Sequence, residues 1–317
     1  MQRNLLTAVA AGLASALLAL SSSWGILGVL VLTLFAPLPL IAAGLSLGLT
    51  AAAIAALTAL AVVALVQGVG PLAVFAASDA VPSLMIARFA LLNRQAPDGA
   101  IEWYPAGRLL TWICFFGVAL FVATALIAGL GPDGLQARIA ALMAPIREAM
   151  PNPGSDTARA DADRVFAALK FTVPAILTTA WMFKLVFNGV LAQKILARRG
   201  LSLRPSPDLR TLTLPSWLAG VTVAATVVGL LGSGWLGFLG ANIALILWVP
   251  YLLLGLAVLH TVSGRWPGRT PLLVVTYLFV ILFGWLTIAL AGVGFLEQWL
   301  GLRERFSGPG RGNERKE

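Results

Sequence analysis

Residues 242–260 read NIALILWVPYLLLGLAVLH, the centre of a run from 236 to 262 without a single Asp, Glu, Lys or Arg. A helix rises about 1.5 Å per residue, so about 20 apolar residues cross the ~30 Å hydrocarbon layer of a bilayer. The run is continuous instead of alternating with period two, which excludes a strand of a membrane β-barrel. A helix also satisfies its own backbone groups, which lipid would leave unpaired. The stretch reads as a transmembrane helix.

Similar blocks recur at 5–20, 25–43, 47–66, 71–91, 108–130, 169–191, 216–232 and 270–298. Together they predict an all-α fold, a polytopic transmembrane bundle of about nine spans, with eight as the alternative. Composition agrees: 59% of residues are hydrophobic and 11% charged, against roughly 25% charged in ordinary globular domains. Mean hydropathy is +0.90. The expected organisation is an N-terminal transmembrane bundle over 1–130, a connection over 131–168, transmembrane helices over 169–300 and a disordered basic tail over 301–317. Arg3, the apolar run to Leu20 and the small residues Ser21 to Ser23 resemble a cleaved signal peptide. Further spans follow at once, which favours a first spanning helix.

Positive charge in short loops marks the cytoplasmic side. Loop 193–214 carries Lys194, Arg198, Arg199, Arg204 and Arg210 against Asp208 alone, so it is expected inside, with the N-terminus. The connection 131–168 then falls outside, with Asp133, Glu148, Asp156, Asp161 and Asp163. Within it Leu135, Ile139, Leu142, Met143 and Ile146 recur at helical spacing, as in a helix lying in the interface. The stretch PNPGSDTARADAD at 151–163 reads as a flexible linker. Nine spans would put the C-terminus outside, although the tail carries Arg303, Arg305, Arg311, Arg315 and Lys316. Either one block fails to cross or the basic tail is tolerated there. The net charge of +9 thus serves topology and attraction to the anionic bilayer surface. No soluble basic module is present to bind nucleic acid.

The chain holds one cysteine, Cys114, and one histidine, His260, too few for a metal centre of the usual kind. It has no phosphate-binding loop and no carboxylates paired at one depth, so the expectation is a protein that is not an enzyme and uses no cofactor. Charges inside spans are costly and mark functional candidates. Asp79 is one, inside VFAASDAVPSLMIARFA at 74–90. Lys184 is another, on a face shared with Thr178, Trp181 and Asn188. Counted from the outer ends of their blocks, Asp79 and Lys184 differ in depth by about 10 Å, so a snorkelling lysine is expected ahead of a direct bridge. Pro37 and Pro39 interrupt the second block, and broken spans are where transporters place solutes. These seven residues form the candidate ligand set. Gly44 and Gly48 make a small-xxx-small pair expected at a helix–helix contact.

Five stretches carry a resemblance: APLPL at 36–40, NGVLAQKILARRG at 188–200, RPSPDLRTLTLPSWL at 204–218, NIALILWVPYLLLGLAVLH at 242–260 and GFLEQWLGLRERF at 294–306. The chain resembles the YybS-like family of bacterial membrane proteins, of unknown function. Its first spans are also similar to solute-binding subunits of energy-coupling-factor transporters and to MreD-like proteins. The resemblance supplies no catalytic residues; the alanine- and arginine-rich usage fits a GC-rich bacterial genome, so a bacterial inner-membrane location is expected. Two functions are expected in competition. One is a transporter-like subunit that binds a small solute and lacks its own ATPase. The other is a scaffold that holds an energising or envelope protein through loop 193–214.

Overall fold

A computed structural model describes residues 2–21, 25, 28–129, 134–149, 155–265, 267–282 and 284–307. The principal helices are α1 (Gln2–Leu20), α2 (Pro37–Leu47), α3 (Leu49–Gln67), α4 (Val69–Phe75), α5 (Val81–Leu91), α6 (Ala106–Gly129), α7 (Gly134–Ala149), α8 (Asp156–Arg198), α9 (Trp217–Leu231), α10 (Gly234–Val262), α11 (Arg269–Leu282), α12 (Trp285–Leu300) and α13 (Leu302–Ser307). A two-stranded hairpin, β1 (Asn93–Gln95) with β2 (Ile101–Trp103), joins α5 to α6. The all-α bundle holds.

The expected count of nine spans is not confirmed. Among the described residues six helices are long and apolar enough to cross a membrane, or seven if the bent pair α11–α12 counts as one span. The block at 25–43 is interrupted, with a π-turn at Gly28–Leu32 and a 3-10 turn at Thr33–Phe35 ahead of α2. The block at 216–232 becomes α9, only 15 residues long. Apolar length alone does not reveal where a helix changes its winding. Large apolar side chains such as Leu65, 86% exposed, and Leu231, 82% exposed, lie on the outside, as lipid-facing side chains do. The polar stretch expected as a linker is partly helical: α8 begins at Asp156, while 151–154 lie outside the described residues.

Two compact units emerge, and both are discontinuous in sequence. The first comprises 1–113, 184–219 and 248–317. Its α1 and α3 meet through small residues, Ala8, Gly12 and Ala16 facing Ala52, Ala55 and Ala59, all buried. A Cβ on Gly12 would stand 2.4 Å from the Ala55 carbonyl oxygen. Lipid supplies no hydrophobic drive between helices, so close approach and van der Waals packing hold them. Gly44 behaves the same way, its added Cβ 2.4 Å from that of Ala87.

Gly48 does not behave this way. It has φ of +94° and open space around it, and it links α2 to α3. The expected helix contact at Gly48 is thus a backbone requirement, since a side chain there is strained. Gly48→Ala is expected to cost about 1–3 kcal/mol by denaturant titration in detergent. Substitution at Gly70, which has open space and no such φ, should cost little.

At one end of this unit the loop after α8 is tied down. Arg204, 7% exposed, donates to the Ala90 and Tyr104 carbonyls at 3.1 and 3.0 Å, and Gln193 donates to the Arg204 carbonyl. Burial pushes the Arg204 guanidinium down from the usual arginine range. Arg303 pairs with buried Glu297 at 2.6 Å and donates to the Arg210 carbonyl at 2.5 Å. Arg303 thus lies beside loop 208–214. Helices α11 and α12 are bent by 118° at the short break between them, as in a broken span or a re-entrant loop.

The second unit comprises 114–183 and 220–247. Its α9 and α10 pack backbone to backbone, with a Cβ on Gly229 or Gly240 falling 2.6 Å from the opposing nitrogen. Asn242 is fully buried. Its Oδ1 accepts from the Ala175 N–H at 3.0 Å and its Nδ2 donates to the Phe171 and Phe238 carbonyls. Pro174 interrupts the hydrogen-bond ladder of α8 at this point, and Asn242 bridges the gap.

Candidate functional site

Pro82 has no N–H to give the Ser78 carbonyl, and its ring clashes there. The chain answers by widening into a π-turn over Ala76–Ala80, with the Val81 N–H on the Ala76 carbonyl. π-turns inside helices recur at functional sites. This one carries Asp79.

Asp79 is 5% exposed. Its Oδ1 accepts from Lys184 Nζ at 2.5 Å and its Oδ2 from Ser78 Oγ at 2.5 Å. The two charged side chains are 7% and 18% exposed, so the pair is largely out of solvent. Depth along the apolar blocks disfavours this contact when Lys184 is counted from residue 169, but α8 starts at Asp156, so the end of the apolar block does not mark the end of the helix. One turn beyond Lys184, Asn188 is fully buried and donates to the Lys184 and Leu34 carbonyls at 2.7 and 2.8 Å. Leu34 lies in the 3-10 turn of the interrupted segment, so a side chain of α8 satisfies a backbone group that the broken helix leaves over. Among the described residues, Asn188 Oδ1 and Ser83 Oγ are buried without a hydrogen-bond partner.

The candidate residues thus separate. Asp79, Lys184 and Asn188 come together in the first unit. Pro37 and Pro39 occupy the first turn of α2, where a missing N–H goes unmissed; they end the irregular segment and are not hydrogen-bonded to the pair. Thr178 and Trp181 belong to the second unit. There Thr178 Oγ1 donates to the Pro174 carbonyl, the Trp181 ring stacks on Phe116 at 5.9 Å, and both line an apolar cavity of about 480 Å³. Helical spacing placed all four polar residues of α8 on one face. It could not show that the face is shared between two environments.

A family model described as a predicted membrane protein, DUF2232, matches residues 12–297. The chain belongs to this family. The DUF2232 match takes in Asp79, Lys184, Asn188, Arg204 and Asn242, and ends at Glu297, in line with the resemblance carried by the five stretches. No curated protein and no solved structure matches the chain. Arg204, counted in the sequence only among the cations of its loop, and Asn242 are polar contributors whose contacts the sequence does not reveal. For Asn242 a signal existed: an amide in a charge-free run, with a proline interrupting another span.

Proposed function

We propose that this DUF2232 protein is a transporter-like, non-catalytic subunit of a bacterial inner membrane. It binds a small charged solute at the Asp79–Lys184 centre and draws energy from a separate protein. The buried pair, set at a π-turn beside an interrupted helix, carries this reading. Discontinuous helices are where transporters bind solutes and coupling ions, and intramembrane ionisable residues are functional by default. A solute that carries an anionic group can take Lys184, and a cationic group can take Asp79. The unpartnered oxygens of Asn188 and Ser83 offer it further hydrogen bonds.

The test is thermal stabilisation of the reconstituted protein by a panel of metabolites. A solute that stabilises the wild type and fails on Asp79→Asn with Lys184→Met supports the reading. Stabilisation that survives this double change refutes it. The scaffold reading rests on Lys194 and Arg198, exposed on the last turns of α8, and on exposed Arg199 just after it. A co-purifying protein lost on their neutralisation, with no stabilising solute, favours the scaffold.

The proposed orientation puts the N-terminus and loop 193–214 in the cytoplasm and takes α11–α12 as a re-entrant pair that returns Arg305 to the same side. An impermeant maleimide should label Ser206→Cys and Arg305→Cys from one side and Ser155→Cys from the other. Labelling of positions 206 and 305 from opposite faces would contradict the re-entrant pair.

A further inference from the structure

The cavity of about 480 Å³ in the second unit lies between the end of α6, the first apolar turns of α8 and the underside of α7. Its walls are Leu120, Phe121, Ala125, Leu135, Ile139 and Leu177 with their apolar neighbours, and its polar lining is limited to Thr124, Arg138, Thr178 and Trp181. This volume is within the ~300–1,000 Å³ typical of small-molecule sites. Lipid-facing apolar cavities attract no ordered water without polar partners to hold it.

One basic residue lines it and a second stands one turn beyond its wall. Arg138 lines the cavity from α7 and is exposed. Lys170 lies one turn before Val173 and Pro174, both wall residues, on the same face of α8. Neither makes an ion pair among the described residues, whereas Arg147 and Arg164 nearby are paired with Asp163 and Asp161. α8 changes at this level from the charged stretch 156–170 to an apolar one, which is where a bilayer's headgroups meet its chains.

We propose that this cavity holds one chain of an anionic membrane lipid, with the phosphate of the headgroup on Arg138. Leaving bulk lipid for an equally apolar cavity gives the chain little hydrophobic gain. Selectivity must then come from net charge: the Arg138 guanidinium holds the phosphate by a charge-assisted contact, and in a zwitterionic lipid the headgroup ammonium beside that phosphate offsets the attraction. α7 is the amphipathic cover: Leu135, Ile139 and Met143 are buried under it.

The experiment is native mass spectrometry of the full chain, delipidated and then exposed to phosphatidylglycerol or phosphatidylcholine of identical chains. The expected result is one tightly retained phosphatidylglycerol, favoured at least about tenfold over phosphatidylcholine. Arg138→Gln, a change at an exposed position, should reduce that preference to about twofold. Thr124→Trp should fill the cavity and abolish retention of either lipid, with the melting temperature confirming that the variant folds. Equal retention of both lipids by the wild type would overturn the proposal. So would an unchanged preference in Arg138→Gln, or a retained lipid in folded Thr124→Trp.

Discussion

Asp79→Asn is expected to destabilise the protein by about 3–5 kcal/mol, because it strands the Lys184 ammonium in a site that excludes water. Asp79 holds that cation at 2.5 Å, and the exposure of Lys184, 18%, leaves little room for hydration. The amide retains shape and the Ser78 hydrogen bond but cannot neutralise the charge. Lys184→Met alone should cost a comparable amount by stranding the carboxylate. The double change Asp79→Asn with Lys184→Met removes both charges and should recover most of the loss, since a neutral replacement of a buried pair is often tolerated. Thermal unfolding in lipid nanodiscs, arranged as a double-mutant cycle, measures the coupling. Additive losses in the double variant would show that the two groups do not depend on each other.

Asn242→Leu is expected to cost about 2–6 kcal/mol, from two backbone groups left unpaired at about 1–3 kcal/mol each. These are the Ala175 N–H and the Phe171 carbonyl, which the amide now bridges. Leucine matches the volume and restores neither bond. Pro174→Ala removes the cause of the gap, so in that background α8 can close its own ladder and Asn242→Leu should cost much less. Hydrogen exchange at the Ala175 amide provides a local readout, fast in Asn242→Leu and slow again in the double variant. An amide that stays protected in Asn242→Leu would show that Asn242 is a passenger.

The sequence makes the class of this fold plain and its winding opaque. Runs such as 236–262 leave no other destination than lipid, and six of the expected blocks match helices of spanning length. Interruptions are less legible. Pro82 stands three residues after Asp79, but a proline-induced kink and a π-turn read alike in sequence. Pro37 and Pro39 drew attention to the second block, where the irregular winding lies just before them, at Gly28–Phe35. The pairing of Asp79 with Lys184 was hidden because depth cannot be counted from where hydrophobicity begins; α8 runs well past that point. Arg204 looked like one of five equivalent loop cations. Its burial depends on carbonyls more than 90 residues away in sequence, at Ala90 and Tyr104, which no local pattern reveals.

The closed Asp79–Lys184 pair has a bearing on voltage. A lone charge carried across a membrane exchanges about 2.3 kcal/mol per 100 mV with the field. Two opposite charges held together and displaced together exchange almost none, so the closed state is electrically silent. Parting Lys184 from Asp79 along the bilayer normal creates a dipole that the membrane potential can push on. Any rearrangement that parts the two groups would then couple to membrane voltage in proportion to how far they separate.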